Sequence, residues 1–310
     1  MQEIKIHNAI ECHVVKTLVY FDIFQYPLTV DEIFRFLQLR DVCREELQYA
    51  LNELTQLQLI FHFNGFYTLR KDASLVDKRL AANREAGKYL PVAQKRARLI
   101  FAFPFVRAVM ASGSLSKNCM DENSDIDFFV VTSPHRVWFV RLLMTVYKKV
   151  FLRNSHKLFC INYYLDEDHL SLTERNVFTA TELVTLIPLQ GDSLYDKLQT
   201  ENLAWVSDFF PNAKRVALTD QASPNRLKRI IERILQLLPL NWLERSIMQL
   251  THRRWRKLYR HSMDEKDFNV AFKSEPHVSK AHPQNFQKKV IEQYESQLKM
   301  YGHKLEMELP

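Results

Sequence analysis

The sequence is poor in glycine, with five in 310 residues, where an average composition would give roughly twenty. They stand far apart in the chain, at Gly65, Gly87, Gly113, Gly191 and Gly302. A dinucleotide-binding fingerprint, a P-loop and the glycine-rich loop of a kinase each need clustered glycines, so all three are excluded. Any phosphate-binding turn in this protein must therefore depend on a single glycine.

Cysteine and long apolar runs are also scarce. None of the four cysteines belongs to a CxxC pair or to a Cys/His spacing typical of zinc, so we expect reduced thiols and neither a zinc site nor a disulfide framework. The longest apolar run, Leu99 to Met110, is interrupted by Pro104 and Arg107 and is too short to span a bilayer. Met1 to His13 lacks the basic-then-apolar order of a signal peptide. We therefore expect a cytoplasmic protein without a transmembrane segment.

Positive charge is concentrated in one segment. The chain has a net charge of +7, and residues 226–260 alone hold ten Lys or Arg against two Glu. Such a segment either meets anions (substrate phosphates, a nucleic acid or a lipid surface) or is a solvated helix face. Its apolar residues recur at helical spacing on both sides of Pro239, which predicts two helices with the apolar positions in the core and the arginines outside. The basic residues around Trp255 are a candidate polyanion site.

Residues 1–75 predict a small N-terminal domain. A helix ends before Tyr26-Pro27, and Thr29 with Glu32 forms a capping box at the start of a second helix. A third helix is predicted from about Arg44 to Leu57, followed by a hairpin with Asn64-Gly65 as its type I′ turn. This order predicts a winged helix-turn-helix.

The expected recognition helix of this domain argues against DNA binding. It carries Arg44 against Glu45, Glu46 and Glu53, whereas phosphate-dominated binding depends on Lys and Arg. The domain is better suited to docking a protein or to capping the neighbouring domain.

Residues 76–212 predict an α/β core. A charged helix precedes a strand over Phe105 to Ser112, and a second strand follows Asp125-Ile126-Asp127. Arg136 to Leu152 has helical spacing, and Leu158 to Leu165 is predicted to be a third strand. A helix is predicted over Thr173 to Leu186. Residues 213–310 are predicted to form a basic helical domain. Within it, the stretch from 261 to 283 has no clear periodicity and is predicted to be irregular.

The two strand ends carry a candidate site. Asp125 and Asp127 are separated by one residue, so on a strand both carboxylates lie on the same face, where they can share hard divalent cations. The turn at Gly113-Ser114 lets a backbone approach a triphosphate while its hydroxyl and amides donate to phosphate oxygens. Two metals could then stabilise the attacking and leaving oxygens of an in-line displacement.

Gly113-Ser114, a spacer of ten residues and Asp125-Ile126-Asp127 resemble the signature of the DNA polymerase beta-type nucleotidyltransferase superfamily. The resemblance implies a mixed α/β sheet and the transfer of a nucleoside monophosphate from an NTP such as ATP to a hydroxyl or phosphate acceptor, with release of pyrophosphate. It also implies Mg²⁺ or Mn²⁺ at Asp125 and Asp127. The acceptor can be a small molecule, a protein or a nucleic acid.

The chain departs from the family pattern at two places. Many members have Arg and a second Gly after Gly-Ser, where this chain has Leu115-Ser116-Lys117-Asn118, so Ser116 and Lys117 join Gly113 and Ser114 as predicted nucleotide-binding residues. Where the family has a third acid, this chain has Asn162, which cannot accept a proton as a carboxylate does. Asp166 is an alternative acid further along the strand. The predicted catalytic residues are thus Asp125, Asp127 and Asn162, and the alternative is a weak or inactive module with a regulatory, antitoxin-like or nucleic-acid-binding role.

Overall fold

The structure is a computed structural model that describes residues 8–153, 157–216 and 226–305. Outside these ranges lie residues 1–7 of the predicted N-terminal domain, 154–156 of the predicted core, and 217–225 and 306–310 of the predicted C-terminal domain. The described residues form a mixed α/β fold around a six-stranded sheet, which confirms the predicted fold class.

The N-terminal part contains three helices and a three-stranded antiparallel sheet, in the order α1 (Ala9–Asp22), β1 (Leu28–Thr29), α2 (Val30–Phe36), α3 (Arg44–Gln56), β2 (Phe61–Phe63) and β3 (Phe66–Thr68). The predicted capping box of Thr29 and Glu32 is present at the start of α2. Asn64 and Gly65 both have positive φ between β2 and β3, as the predicted turn requires. We continue to interpret this N-terminal part as a winged helix-turn-helix.

The central sheet has the strand order β7-β4-β5-β6-β9-β8. Within it β5 and β6 are parallel, and the other neighbouring pairs are antiparallel. The strands are β4 (Val106–Ser112), β5 (Asp127–Thr132), β6 (Cys160–Asp166), β7 (Ile187–Gln190), β8 (Ser274–Glu275) and β9 (Val278–Lys280). Strands β8 and β9 come from the predicted third segment, so residues from 213–310 complete the sheet on which the candidate site lies.

Helices cover both faces of this sheet. The remaining helices are α4 (Ser74–Ala102), α5 (Gly113–Ser116), α6 (Val137–Phe151), α7 (Val177–Thr185), α8 (Asp192–Phe209), α9 (Arg226–Gln236), α10 (Leu240–Tyr259), α11 (Glu265–Ala271) and α12 (Phe286–Leu305). Successive residues of β5 enter different cores because side chains alternate along a strand. Phe129 and Val131 pack with the N-terminal helices, α7 and α8, whereas Phe128 and Val130 pack with α4, α6 and α10.

Three predicted elements are corrected by the structure. The third strand continues through Asp166, one residue beyond its predicted end. The helix predicted over Thr173 to Leu186 is shorter, and Ile187–Gln190 pairs with β4 as an edge strand that tolerates Pro188. The stretch 261–283, predicted to be irregular, contains α11, β8 and β9. In each case pairing or packing with distant residues decided the outcome.

The predicted orientation of the basic segment is wrong for α9. Its buried residues are Lys228 and Glu232, whereas its isoleucines are largely exposed. The Lys228 ammonium donates to the carbonyl oxygens of Phe101 and Val106, each at 2.6 Å. The Glu232 carboxylate accepts from the Phe105 amide and from both terminal nitrogens of Arg107. The start of β4 presents polar groups that need partners, and the polar face of α9 supplies them.

Helix α10 supplies a cap to α6. The first residues of α6 have no side-chain cap of their own, and the two carboxylate oxygens of Glu244 accept from the backbone amides of Trp138 and Phe139 at 2.9 and 2.8 Å. Glu244 is 6% exposed. Burial raises the pKa of its carboxyl to about 7, because the charged form loses its hydration.

We expect this buried carboxyl to make stability depend on pH. Because the folded pKa lies above the ordinary value of 4.5, the folded state binds the proton more tightly than the unfolded state. The free energy of unfolding therefore falls as pH rises from about 4.5 to 7, by roughly 3 kcal/mol at most. Glu244→Gln should flatten this dependence in urea unfolding measured at pH 5 and pH 8. Glu292→Gln, at an exposed position of α12, is the control, and identical pH dependences for wild type and Glu244→Gln would contradict the expectation.

Candidate active site

Gly113 and Asp127 meet where β4 ends and β5 begins. Ser112 pairs with Asp127 across the two strands, and Gly113 follows with a φ of +63°. A Cβ atom at Gly113 would lie 2.4 Å from Oδ2 of Asp127. Both the backbone conformation and the close approach of the carboxylate therefore require glycine. The single glycine that the sequence offered for a phosphate-binding turn does lie against the candidate catalytic carboxylate.

Asn162 reaches Asp127 through an irregularity in β6. Asp127 pairs with Cys160, but Phe129 pairs with Tyr163, so β6 holds one more residue than β5 between these pairs. Such a bulge re-aims the side chain of the extra residue, here Asn162. Its amide nitrogen donates to Oδ1 of Asp127 at 2.7 Å. The amide thus fixes the orientation of the carboxylate, which an ionised acid at this position could not do because it has no proton to donate.

Asp166 lies away from the site. It is at the opposite end of β6, where it pairs with Thr132, and it is fully buried. Its carboxylate accepts from the backbone amides of His135 and Asp168 and lies 2.6 Å from Nδ1 of His169. The suggestion that Asp166 replaces the third acid is therefore not supported by its position.

Glu182 of α7 is a carboxylate that the sequence did not identify. One of its oxygens lies 2.6 Å from the Lys117 ammonium, and the other accepts from the Gly113 amide at 3.4 Å. Lys117 also donates to the carbonyl oxygen of Gly113. The two groups predicted to hold phosphate are thus in contact with a carboxylate. The sequence offered one signal for Glu182, which is the single acid between Val177 and Val184. Its partners, Lys117 and Gly113, stand about 65 residues earlier in the chain, so local sequence patterns could not identify the contact.

The site accumulates negative charge. The pKa of Asp127 is raised to about 6, mainly because the carboxyl is buried and also because Glu182 and Asp125 lie near, while the Lys117 ammonium lowers it. Asp125 is half-buried and precedes β5 rather than belonging to it. Among the described residues no group of three or more His, Cys, Asp or Glu side chains is arranged to hold a metal ion.

A cavity of about 1000 Å³ opens over this site. Its wall includes five of the seven predicted site residues, namely Gly113, Ser114, Lys117, Asp127 and Asn162. Asp125 and Ser116 are not part of the wall, and the Ser116 hydroxyl donates to the carbonyl oxygen of Gly113. The remaining wall combines charged residues, among them Arg79, Arg84 and Glu85, with aromatic ones, among them Tyr20, Phe24, Phe129, Phe178 and Phe286.

Two elements distant in sequence close the cavity. The N-terminal part contributes Tyr26, whose hydroxyl donates to the carbonyl oxygen of Lys117 at 2.6 Å. Near the other end of the chain, Lys280 pairs with Glu174 at 2.6 Å. Burial lowers the pKa of the neighbouring His282 to about 4, so this imidazole is neutral at pH 7. His282 itself lines the cavity.

Comparison with known proteins identifies the central segment. Residues 93–180, which make up less than a third of the chain, match the family model of the nucleotidyltransferase domain, a family of the polymerase beta type. No curated protein and no solved structure showed significant similarity to the chain. The match supports nucleotidyl transfer as the general activity, and this family generally uses a divalent metal and an NTP. No helix in the described part of the chain is long and apolar enough to cross a membrane.

Proposed function

We propose that the protein is a metal-dependent nucleotidyltransferase that passes a nucleoside monophosphate from an NTP to a hydroxyl or phosphate acceptor and releases pyrophosphate. One observation carries the proposal: within the nucleotidyltransferase segment, Gly113 and Asp127 adjoin at the strand ends and face a large cavity. A carboxylate buried against a glycine backbone is costly and requires an explanation. A site that handles a charged substrate does explain it.

The acidic groups suit a divalent cation. Mg²⁺ is commonly bound through one or two carboxylates and the substrate phosphates, with water completing its coordination, so Asp125 and Asp127 are sufficient protein ligands. Burial raises the pKa of Asp127 most, and the nearby Glu182 and Asp125 carboxylates raise it further, so a bound cation would stabilise the charged form. Asp125 and Asp127 would hold Mg²⁺ or Mn²⁺, which would stabilise negative charge on the transferring phosphoryl group. Asn162 orients Asp127 for this task.

The phosphates would be held by the turn at the end of β4. Gly113 and Ser114 line the cavity and would donate backbone and hydroxyl hydrogens to phosphate oxygens, while Lys117 supplies the cation that an arginine supplies in many relatives. Ser116 acts indirectly, because its hydroxyl fixes the carbonyl oxygen of Gly113. Within the cavity, the aromatic part of the wall favours a small acceptor with an apolar ring over a nucleic acid.

We also propose the limits 1–75, 76–212 and 213–310 for three segments of the chain, of which the last two share the central sheet, with the N-terminal winged helix acting as a cap on the site. The Tyr26 contact with Lys117 supports this role. In α3, the Glu46 carboxylate accepts from the Cys43 amide and caps the helix. The first turn of α3 is therefore acidic, which disfavours contact with phosphates. Binding of DNA by this domain is not part of the proposal.

Pyrophosphate release from a mixture of NTPs and Mg²⁺ with candidate acceptors tests the activity. The second candidate function is a non-catalytic binding module, which is favoured by the amide at Asn162 in place of a third acid and by the Lys117–Glu182 ion pair. Calorimetry with ATP and Mg²⁺ separates the two. Binding that requires the metal supports the enzyme, whereas a degenerate site should bind no nucleotide in a metal-dependent way.

Glu182→Gln is expected to bind ATP and Mg²⁺ about tenfold more tightly than the wild type. In the wild type the triphosphate must displace the Glu182 carboxylate from Lys117 and the Gly113 amide, and the amide side chain removes this competition between like charges. Calorimetric titration measures the dissociation constants. Glu174→Gln, which removes a carboxylate from the same cavity, is the matched control and should change affinity less. Weaker binding by Glu182→Gln would instead make Glu182 part of the metal-binding set.

A further inference from the structure

Helix α9 attaches to the core by its polar face and leaves its apolar face in solvent. Lys228 and Glu232 point inward and bond to groups around the start of β4. On the other side, apolar side chains at helical spacing are exposed: Ile230, Ile231, Ile234, Leu237 and Leu238. A helix normally buries its apolar side. The reversed orientation of α9 therefore presents an apolar surface that an additional partner can cover.

The apolar surface continues into the start of α10. Leu237 is 85% exposed and Trp242 is 70% exposed, and they lie on either side of the turn between the two helices. The other three tryptophans, Trp138, Trp205 and Trp255, are buried. Contiguous exposed apolar groups of this kind mark interaction sites with proteins or membranes. We use the name α9 face for the apolar residues 230, 231, 234, 237, 238 and 242 together with Arg226, Arg229 and Arg233.

The exposed charge that residues 226–260 themselves contribute is of one sign. Within residues 226–260 both acids, Glu232 and Glu244, are buried and hydrogen-bonded to backbone amides. The cations of this segment are exposed except for Lys228, and Arg226, Arg229 and Arg233 lie beside the apolar residues of α9. The surface thus combines aliphatic side chains, a tryptophan and arginines, with no exposed carboxylate from this segment.

We propose that the α9 face docks the protein on an anionic membrane surface. Helices that lie in a bilayer interface have an apolar face with Trp or Leu, bordered by Lys or Arg that contact anionic headgroups. A second copy of the chain would bring arginines against arginines, and a nucleic acid would leave the aliphatic side chains in water. An anionic bilayer covers both kinds of group.

The position of this face leaves the candidate active site accessible. Helix α9 contacts the first residues of β4, whereas Gly113 follows the last residue of that strand. Seven residues of strand at about 3.3 Å each separate the two ends by roughly 20 Å. Membrane docking would therefore concentrate the protein at a surface without blocking the cavity.

Vesicle co-sedimentation of the full chain tests the proposal. We expect binding to vesicles of phosphatidylcholine with phosphatidylglycerol, at least tenfold stronger than to pure phosphatidylcholine and weakened by salt. Ile234→Ser/Leu237→Ser and, separately, Arg229→Ser/Arg233→Ser should each lower binding at least tenfold. Leu203→Ser, at an exposed leucine of α8, is the matched control and should bind as the wild type does.

Tryptophan fluorescence gives an independent readout, because Trp242 is the exposed tryptophan of the four. Its emission should shift to shorter wavelength with anionic vesicles, and Trp242→Phe should abolish the shift. Failure to bind anionic vesicles, or equal binding by the wild type and both double variants, would overturn the proposal. So would a dimer in light scattering that is lost in Ile234→Ser/Leu237→Ser while vesicle binding is unchanged.

Discussion

Replacing Asp127 with asparagine should lower the rate of pyrophosphate release roughly a thousandfold, which corresponds to about 4 kcal/mol of transition-state stabilisation. The asparagine keeps the size of the side chain but removes the charge that would hold a divalent cation. Its amide oxygen can still accept from the Asn162 amide, which bonds to a single oxygen of Asp127, so the loss of charge is the main change. The loss should therefore appear mainly in kcat, because the contribution of the metal is greatest at the transition state.

The same substitution should not destabilise the metal-free fold. Asp127 is buried close to Glu182 and Asp125, and these conditions raise the pKa of its carboxyl. Removing the charge relieves desolvation and repulsion. Urea unfolding without metal should accordingly give Asp127→Asn a free energy of unfolding equal to or above that of the wild type. Asp168→Asn, an exposed aspartate beyond the other end of β6, is the control for both measurements. Pyrophosphate release by Asp127→Asn close to the wild-type rate would show that the chemistry lies elsewhere.

Local patterns in the sequence predicted the centre of the candidate site because the relevant neighbours are close in the chain or on adjacent strands. Gly113 and Asp127 were predicted from strand ends and Asn162 from the family pattern, and the structure brings the three together. The bulge that aims Asn162 at Asp127 depends on the register between β5 and β6, which no local pattern encodes. Glu182 enters the site from α7, and only the packing of α7 beside β4 makes its carboxylate relevant.

The basic segment shows a different limit of sequence reasoning. Helical spacing predicted its two helices correctly, but spacing identifies an amphipathic helix without identifying the face that points inward. The backbone groups of Phe101 near the end of α4, and of Phe105 and Val106 where β4 begins, needed polar partners. Lys228 and Glu232 satisfied them. Because an unsatisfied buried polar group costs more than an exposed isoleucine, these contacts decided the orientation of α9.

Gly191→Ala should cause the largest loss of stability among single alanine substitutions at glycines outside the site. Gly191 has a φ of +82° between β7 and α8, and a Cβ atom there would lie 2.3 Å from the carbonyl oxygen of Arg107 and 2.7 Å from the Cβ of Ala108. The left-handed conformation costs an L-residue about 1 kcal/mol or more. The clash involves backbone of β4, which cannot rotate away, and adds an overpacking cost of about 1–3 kcal/mol.

We therefore expect Gly191→Ala to lower the free energy of unfolding by about 3 kcal/mol, measured by urea unfolding at pH 7. Gly65→Ala separates the two causes, because Gly65 has a φ of +83° and a Cβ atom there would have no neighbour within 4 Å, so this variant should cost only about 1 kcal/mol. Gly87→Ala lies inside α4 in open space and should increase stability by up to about 1 kcal/mol. Equal losses for Gly191→Ala and Gly65→Ala would mean that β4 moves aside easily, and the edge of the sheet that carries the candidate site would then be more deformable than its packing indicates.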